Sequence, residues 1–199
     1  MPLLSLPLAL ALQRNPFRPQ PRLIQRPFDS ACPPSRQKTS NLSCQRVAEL
    51  ANEIHAEIQR LCALGDKRAN AKQFPDALQI YWAAWDLLPE PKTEWEAATW
   101  ILAAVGDSNF LGGDYVAGRD NLSQAMHCPN AIGNPFLHLR LGQCQLELQA
   151  FDQAADELMR VYMGGGADIF EDQDPKYLRF LQSKAKGIET PKKPWQFWK

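Results

Sequence analysis

Two histidines and two cysteines near the middle of the chain are of residue types that could bind a metal ion. His127 and Cys128 are adjacent, and His138 and Cys144 follow soon after. Structural zinc needs about four closely convergent ligands of this kind. The spacing matches no zinc motif, and Cys144 falls at a helical position where a small buried residue is ordinary. The sequence therefore predicts no metal site.

The remaining polar residues show no pattern typical of catalysis. The chain has no phosphate-cradling glycine loop and no Gly-x-Ser-x-Gly motif. Its one glycine triplet, Gly164-Gly165-Gly166, follows a helical pattern instead of preceding one, so it predicts the end of a helix. Carboxylates are numerous, but such charge runs usually form a solvated face. We therefore expect a protein that is not an enzyme and needs no cofactor.

The formal net charge is zero, but the charge is unevenly distributed along the chain. Residues 1–40 carry +5, residues 187–199 carry +2, and the body between them carries −7. An acidic body repels nucleic acid, because such binding depends on neutralising phosphates. It attracts basic protein surfaces and accelerates encounter with them. The charge pattern thus argues against nucleic acid and favours a basic protein as the partner.

Cysteine usage and hydropathy indicate the compartment. The chain has five cysteines, an odd number, and no Cys-x-x-Cys motif. A secreted disulfide framework favours paired, regularly spaced cysteines, whereas free thiols are typical of a reducing cytoplasm. No apolar run approaches the ~18 residues of a membrane span. We therefore expect a cytoplasmic protein without a membrane span.

An internal repeat predicts the elements that would position any functional side chain. A leucine or valine followed by glycine recurs at Leu64-Gly65, Val105-Gly106 and Leu141-Gly142. The later positions of the three repeats are Phe74, Ala77, Tyr81, Ala84 and Pro89, then Gly113, Leu122 and Ala125, then Phe151, Ala154 and Leu158. These offsets resemble the tetratricopeptide repeat, a helix–turn–helix unit of about 34 residues. The resemblance implies an all-α fold, a short solenoid of three such units that holds another protein.

The glycine in each repeat has a steric explanation. Gly65, Gly106 and Gly142 stand at one phase of the repeat, although glycine inside a helix costs about 1 kcal/mol relative to alanine. In this repeat the two helices of a unit approach most closely there, so a side chain would separate them. Pro89 predicts the end of unit one, and Pro135 predicts the start of the first helix of unit three.

The repeat divides the chain into a tetratricopeptide domain, residues 43–186, and two tails. The predicted units are at about 58–91, 99–132 and 135–168. The glycines of units one and two lie farther apart than one repeat length. This spacing predicts a longer helix or a wider loop around residues 90–98.

Helical patterns also flank the three units. Apolar residues from Val47 to Leu64 recur at spacings of three and four, which predicts an N-terminal helix that begins near Ser43. This helix either runs on to about Ala71 or is divided into two segments. Asp174 and Pro175 predict a capping helix at about 174–186, which would cover the apolar face of the last repeat.

The concave side of such a solenoid is lined by the first helix of each unit. The groove-facing offsets carry aromatic, acidic and amide side chains. The candidate partner-binding residues are Asp66, Asn70, Trp100, Asp107, Phe110, Phe136, Leu139, Arg140, Gln143 and Glu147. Aromatic anchors with surrounding charge are typical of binding hot spots. Two alternatives stay open: these aromatics belong to the core, or the C-terminal helix or tail covers them.

The two ends differ in composition from the body. Residues 1–42 are rich in proline and arginine and open with an apolar run. They fit a disordered tail, a start codon assigned too far upstream, a secretion signal or a transit peptide. Residues 187–199 contain lysines and aromatic residues. They could lie on a membrane surface, enter another protein, fold back on the acidic body or stay disordered.

Three further strings resemble one group of bacterial proteins. The first string consists of residues 87–91 and the following residues 95–100, the second of residues 133–142, and the third of residues 174–178. Together they resemble small tetratricopeptide proteins encoded beside polymorphic-toxin or type VI secretion effector genes. The resemblance covers about 60–185 and implies an immunity protein that binds and neutralises a cognate toxin, with a basic toxin or effector domain as its partner. The alternative is a general adaptor or a secretion or assembly chaperone. The oligomeric state is left open.

Overall fold

The computed structural model describes residues 40–191, and it describes side chains from residue 53 onward. Within this range the chain forms seven α-helices and two 3-10 turns. They are α1 (Ser40–Asn70), α2 (Phe74–Asp86), a 3-10 turn (Lys92–Glu94), α3 (Glu96–Gly112), α4 (Tyr115–Ala125), α5 (Pro135–Glu147), α6 (Phe151–Gly165), a second 3-10 turn (Ala167–Phe170) and α7 (Pro175–Lys184). None of these helices is long and apolar enough to cross a membrane.

The helices pair as three hairpins, α1 with α2, α3 with α4 and α5 with α6, and α7 packs against the last of them. This arrangement confirms the predicted all-α solenoid of three helix–turn–helix units with a capping helix. Of the two alternatives for the N-terminal helix, the structure shows the continuous one. A single helix of 31 residues forms both the N-terminal helix and the first helix of hairpin one.

Each hairpin turns through a residue with positive φ. These residues are Lys72 at 59°, Gly113 at 85° and Gln149 at 61°. Only the middle turn uses glycine, which adopts this region without steric cost. The other two turns therefore carry no glycine signal in the sequence, and the helical periodicity on either side locates them instead.

The three repeat glycines lie where the helices of each hairpin touch. A Cβ built on Gly65 would come within 3.0 Å of the Tyr81 ring, and one built on Gly106 would meet Leu122 equally closely. A Cβ on Gly142 would lie 2.9 Å from Leu158. The steric explanation of these glycines is confirmed, because each faces the large residue of the partner helix.

The additional residues between hairpins one and two form a wider loop. It contains the first 3-10 turn, and the Trp95 indole Nε1 donates a hydrogen bond to the Pro89 carbonyl at 2.9 Å. Helix α3 also begins at Glu96, earlier than the predicted start of unit two. Side-chain caps begin the later helices: Asn134 accepts from the Phe136 amide, and Asp174 accepts from the Lys176 amide.

The buried apolar residues form two clusters. The larger cluster joins hairpins one and two to the inner face of α5, with Ile58, Tyr81 and Leu102 among its most buried members. The second cluster lies among α6, the second 3-10 turn and α7, and it includes Leu158 and Leu181. Burial of α7 in this second cluster fixes the C-terminal segment against hairpin three.

Candidate functional site

The predicted groove is formed by the first helices of the hairpins, of which α1 contacts α3 and α3 contacts α5. The Trp100 indole on α3 is 38% exposed, and its ring meets the His55 ring of α1 edge-on with centroids 5.6 Å apart. Farther along the same pair of helices, Asp66 of α1 lies close enough to Asp107 of α3 for their negative charges to repel each other. We call the surface formed by Asp66, Asn70 and Trp100 the open half of the groove.

Asp66 is a half-buried carboxylate with little to compensate its charge. Its Oδ1 accepts a hydrogen bond from the Tyr81 hydroxyl at 2.7 Å, and none of the salt bridges among the described residues includes it. Burial raises the pKa of this carboxyl, the hydrogen bond from Tyr81 opposes that rise, and the negative charge of Asp107 adds to it. The open half therefore presents an acid whose ionised form is disfavoured.

Asp107 is compensated, because it pairs with Arg140 across the groove. The Arg140 Nε lies 2.5 Å from Asp107 Oδ1, and both side chains are largely buried. The guanidinium carbon lies 4.8 Å from the Phe110 ring centroid and 5.6 Å from that of Phe136. Arginine stacked on aromatic rings in this way has few alternative geometries.

The C-terminal segment covers the rest of the groove. Gln173 Oε1 accepts hydrogen bonds from Arg140 Nη1 at 3.1 Å and from Gln143 Nε2 at 3.0 Å. The Tyr177 hydroxyl donates to Glu147 Oε1 at 2.7 Å, and Lys176 Nζ lies 2.5 Å from the same oxygen.

We call this surface the filled half; it comprises Asp107, Phe110, Phe136, Leu139, Arg140, Gln143 and Glu147. Burial and the Glu147 carboxylate raise the pKa of the Tyr177 hydroxyl, so it stays protonated and donates. In the filled half, the polar side chains therefore have hydrogen-bond or charge partners within the same chain.

The predicted partner-binding residues thus divide into two sets. Asn70 and Trp100 are exposed and Asp66 is half-buried, whereas Leu139 and Gln143 are buried beneath the C-terminal segment. The C-terminal segment therefore covers the filled half, as one of the two alternatives predicted, and it leaves the open half uncovered. Whether a partner binds at any of these residues stays a prediction.

Sequence reasoning missed Gln173 and Lys176, which close the filled half together with Tyr177. The string 174–178 predicted a capping helix, and Asp174 and Pro175 do begin α7. The helix pattern carried no information about which surface this helix would contact. A lysine followed by an aromatic residue, next to a predicted acidic groove, was the available signal.

Of the four residues considered as metal ligands, Cys128, His138 and Cys144 take part in packing or hydrogen bonding, whereas His127 is exposed. His138 Nδ1 lies 2.5 Å from Glu157 Oε2, and its Nε2 lies 2.7 Å from the Ile132 carbonyl oxygen. Cys144 is buried against Gly118. Within the described part of the chain, no group of three or more histidine, cysteine or acidic side chains is placed to hold a metal ion.

The hydrogen bond with Glu157 is the main cause that raises the pKa of His138, and the Ile132 carbonyl adds to it. Both ring nitrogens face an acceptor, so the doubly protonated imidazolium suits this position best. It connects α5 to α6 and to the loop before α5. This arrangement explains why a histidine stands at a position where the repeat usually has a large apolar residue.

The fold and groove define a short helical-hairpin solenoid of the tetratricopeptide type. No family model matches the chain, and no curated protein matches it. Among solved structures, it is similar to the type III secretion chaperone SycD of Yersinia enterocolitica, solved in complex with a peptide of the translocator YopD. The TM-score is 0.51 at 14% sequence identity, and the likeness covers 63% of this chain and 89% of that one. At this identity the likeness shows the fold.

Proposed function

We propose that this chain is a protein-binding adaptor that holds a segment of a partner protein in the open half of its groove. One observation carries the proposal: an exposed tryptophan and a carboxylate that belongs to no salt bridge among the described residues lie on the first helices of the hairpins, beside a surface that the chain covers itself. Tryptophan is enriched at binding hot spots, because it buries a large rigid surface at small entropic cost. A groove of this kind suits an extended segment better than a flat protein face.

A role as a secretion or assembly chaperone is the finer function that the fold favours. SycD, which shares the fold, is a secretion chaperone solved with a peptide of a translocator. In this reading, the open half holds a segment of a secreted protein until it is handed over. Such a chaperone would bind more than one cargo through short segments of similar chemistry.

A role as an immunity protein is the second candidate, and the charge of the body supports it. Residues 41–186 carry −7, which would accelerate encounter with a basic toxin or effector domain and orient it. In this reading the partner is one cognate toxin. Loss of the gene would then make cells sensitive to that toxin, whereas cells that stay resistant would argue against the immunity role.

Capture from the native host tests the shared part of the proposal. The full chain and its Trp100→Ala variant would be used as bait, with Trp82→Ala as the matched control, because Trp82 is 37% exposed but lies on α2, outside the groove. We expect Trp100→Ala to release the partner and Trp82→Ala to retain it. Equal capture by both variants would place the interface outside the open half.

The identity of the captured proteins separates the two finer functions. A single toxin or effector, bound in equal amounts, would support the immunity role. Several secreted proteins that compete with one another for the groove would support the chaperone role.

A further inference from the structure

The filled half shows which chemistry this groove accepts. There the chain presents a lysine and an adjacent tyrosine to its own concave surface. The Lys176 ammonium pairs with Glu147 at 2.5 Å, and the Tyr177 ring lies 6.5 Å from the Phe110 ring, centroid to centroid. A cation on a carboxylate and an aromatic ring on an aromatic ring thus close this end of the groove.

The open half also offers a carboxylate and an aromatic ring; the His55 ring meets Trp100 edge-on, but Trp100 remains 38% exposed. Asp66 provides a carboxylate that belongs to no salt bridge among the described residues, and Trp100 provides an exposed ring. Asp107, the neighbouring acid, is already paired with Arg140. A cation from outside would therefore be drawn to Asp66, and its arrival would relieve the repulsion between the two carboxylates.

The distance between Asp66 and Trp100 determines how far apart the cation and the aromatic side chain of a bound segment must lie. Asp66 lies near Asp107, which is about two helical turns, or ~10 Å, from Trp100 along α3. An extended chain covers this distance with about three residues.

We infer that the open half binds a basic, aromatic-containing segment of a partner protein, with a lysine or arginine on Asp66 and an aromatic side chain about three residues away on Trp100. The inference rests on the proposed function and specifies the chemistry of the partner. The −7 charge of the body would favour approach of such a segment. The salt dependence of binding follows from the same charge pair.

The test uses a synthetic probe and the full chain. The probe is a nine-residue peptide of glycine and serine that contains one lysine and one tryptophan, three residues apart. Binding would be followed by NMR of the ¹⁵N-labelled chain, through the Trp100 indole signal and the backbone amide of Asp66, up to millimolar peptide. Control peptides replace the lysine with glutamine or the tryptophan with alanine.

Matched variants of the chain locate the two contacts. We expect Asp66→Asn to weaken probe binding about tenfold, because a charged hydrogen bond is lost. Trp100→Ala should weaken it by about tenfold or more. The controls, Asp76→Asn and Trp82→Ala, alter an exposed carboxylate and an equally exposed tryptophan on α2, and they should leave binding within about twofold. Added salt should weaken binding of the lysine peptide and not of its glutamine control.

Four results would overturn the inference. The first is no shift of the groove signals with the probe, and the second is equal binding of the lysine and glutamine peptides. The third is much tighter probe binding when Lys192, Lys193 and Lys199 are replaced by glutamine, which would make the chain's own tail the occupant. The fourth is a dimer that Trp100→Ala dissociates, which would make the occupant a second copy. If Trp100→Ala still releases the cellular partner while the probe fails, the adaptor role stands and only the basic chemistry is wrong.

Discussion

The two halves of the concave groove carry similar residue types but differ in whether the chain satisfies them. In the filled half, Arg140 compensates Asp107, and the C-terminal segment supplies Lys176 and Tyr177 to Glu147. In the open half, Asp66 has the Tyr81 hydroxyl as its hydrogen-bond partner, and Trp100 remains exposed. The contacts of the filled half thus stabilise the fold. In the open half, the half-buried charge of Asp66 is unfavourable, and a bound cation would compensate it.

Because Asp107 has a charge partner and Asp66 has none among the described residues, substitutions of Asp66 report more directly on binding than substitutions of Asp107. Asp107 and Asp66 both point toward the groove, and the sequence gives no reason to separate them. In the structure, Asp107 is part of a buried ion pair, so a change there would damage the solenoid as well as the surface. Asp66 can be changed to asparagine with little effect on packing, because the amide oxygen can still accept from the buried Tyr81 hydroxyl. The free energies of unfolding of variants at these two acids test this contrast.

The largest effect is expected from Asp107→Ala. This substitution leaves the Arg140 guanidinium buried without its carboxylate, which costs about 3 kcal/mol of unfolding free energy. Urea unfolding followed by circular dichroism measures it, with Asp76→Ala as the exposed control. A loss no larger than that of the control would mean that the filled half is not a structural network.

The second prediction concerns pH and His138. The pKa of this histidine is raised in the folded chain, so its stabilisation is complete below the unfolded value of about 6.5 and is lost as the pH rises through the folded value. The groups that face it are Glu157, the Ile132 carbonyl and the more distant Arg160. We expect lower stability on the alkaline side, because the charged hydrogen bond between His138 and Glu157 is lost there.

The variant His138→Gln should remove that slope from the pH dependence of unfolding. His127→Gln is its control, because His127 is exposed. Unfolding curves collected from acid to mildly alkaline pH would measure both. Parallel pH profiles for the wild-type chain and His138→Gln would show that the imidazolium has no role in holding hairpin three.

A smaller effect is expected where the C-terminal segment covers the groove. Tyr177→Phe removes the hydroxyl that donates to Glu147 at 2.7 Å but keeps the ring that faces Phe110. The expected loss is about 1 kcal/mol, the usual net value of one hydrogen bond. Thermal unfolding measures it, and Tyr162→Phe, which alters a half-buried tyrosine whose hydroxyl accepts from the Glu189 amide, provides a comparison.

The smallest effect should have the opposite sign. Asp66→Asn keeps an oxygen that can accept from Tyr81, and it removes a charge that burial and Asp107 disfavour. We expect the unfolding free energy at neutral pH to rise by up to about 1 kcal/mol. A gain in stability together with weaker partner binding would mark Asp66 as a binding residue. A clear loss of stability would place it with the structural residues instead.

The sequence was sufficient to predict the fold because the repeat signals are local. The phase of Gly65, Gly106 and Gly142 predicted where helices touch, and the structure places Tyr81 and Leu158 against two of them. Helix caps and prolines predicted several helix ends for the same reason. Each of these signals depends on neighbours within one hairpin, and the residues of one hairpin are close in the sequence.

The division of the groove into two halves could not be predicted in this way. It depends on contacts between Gln173, Tyr177 and residues of α5 that lie about thirty positions earlier. Such contacts follow from how α7 packs, which the helical pattern of 174–178 does not specify. The sequence offered covering by the C-terminal helix as one alternative, and the structure shows that it applies to one half.

The contact of Gln173 and Tyr177 with α5 also closes the groove at hairpin three. A segment that enters beside α1 meets the chain's own residues at hairpin three and cannot continue along the solenoid. A segment that lies along α3 from Trp100 toward Asp107 has about two helical turns, or ~10 Å, which about three extended residues cover. A longer segment would have to end there or leave sideways, so short recognition sequences or chain termini suit this groove best.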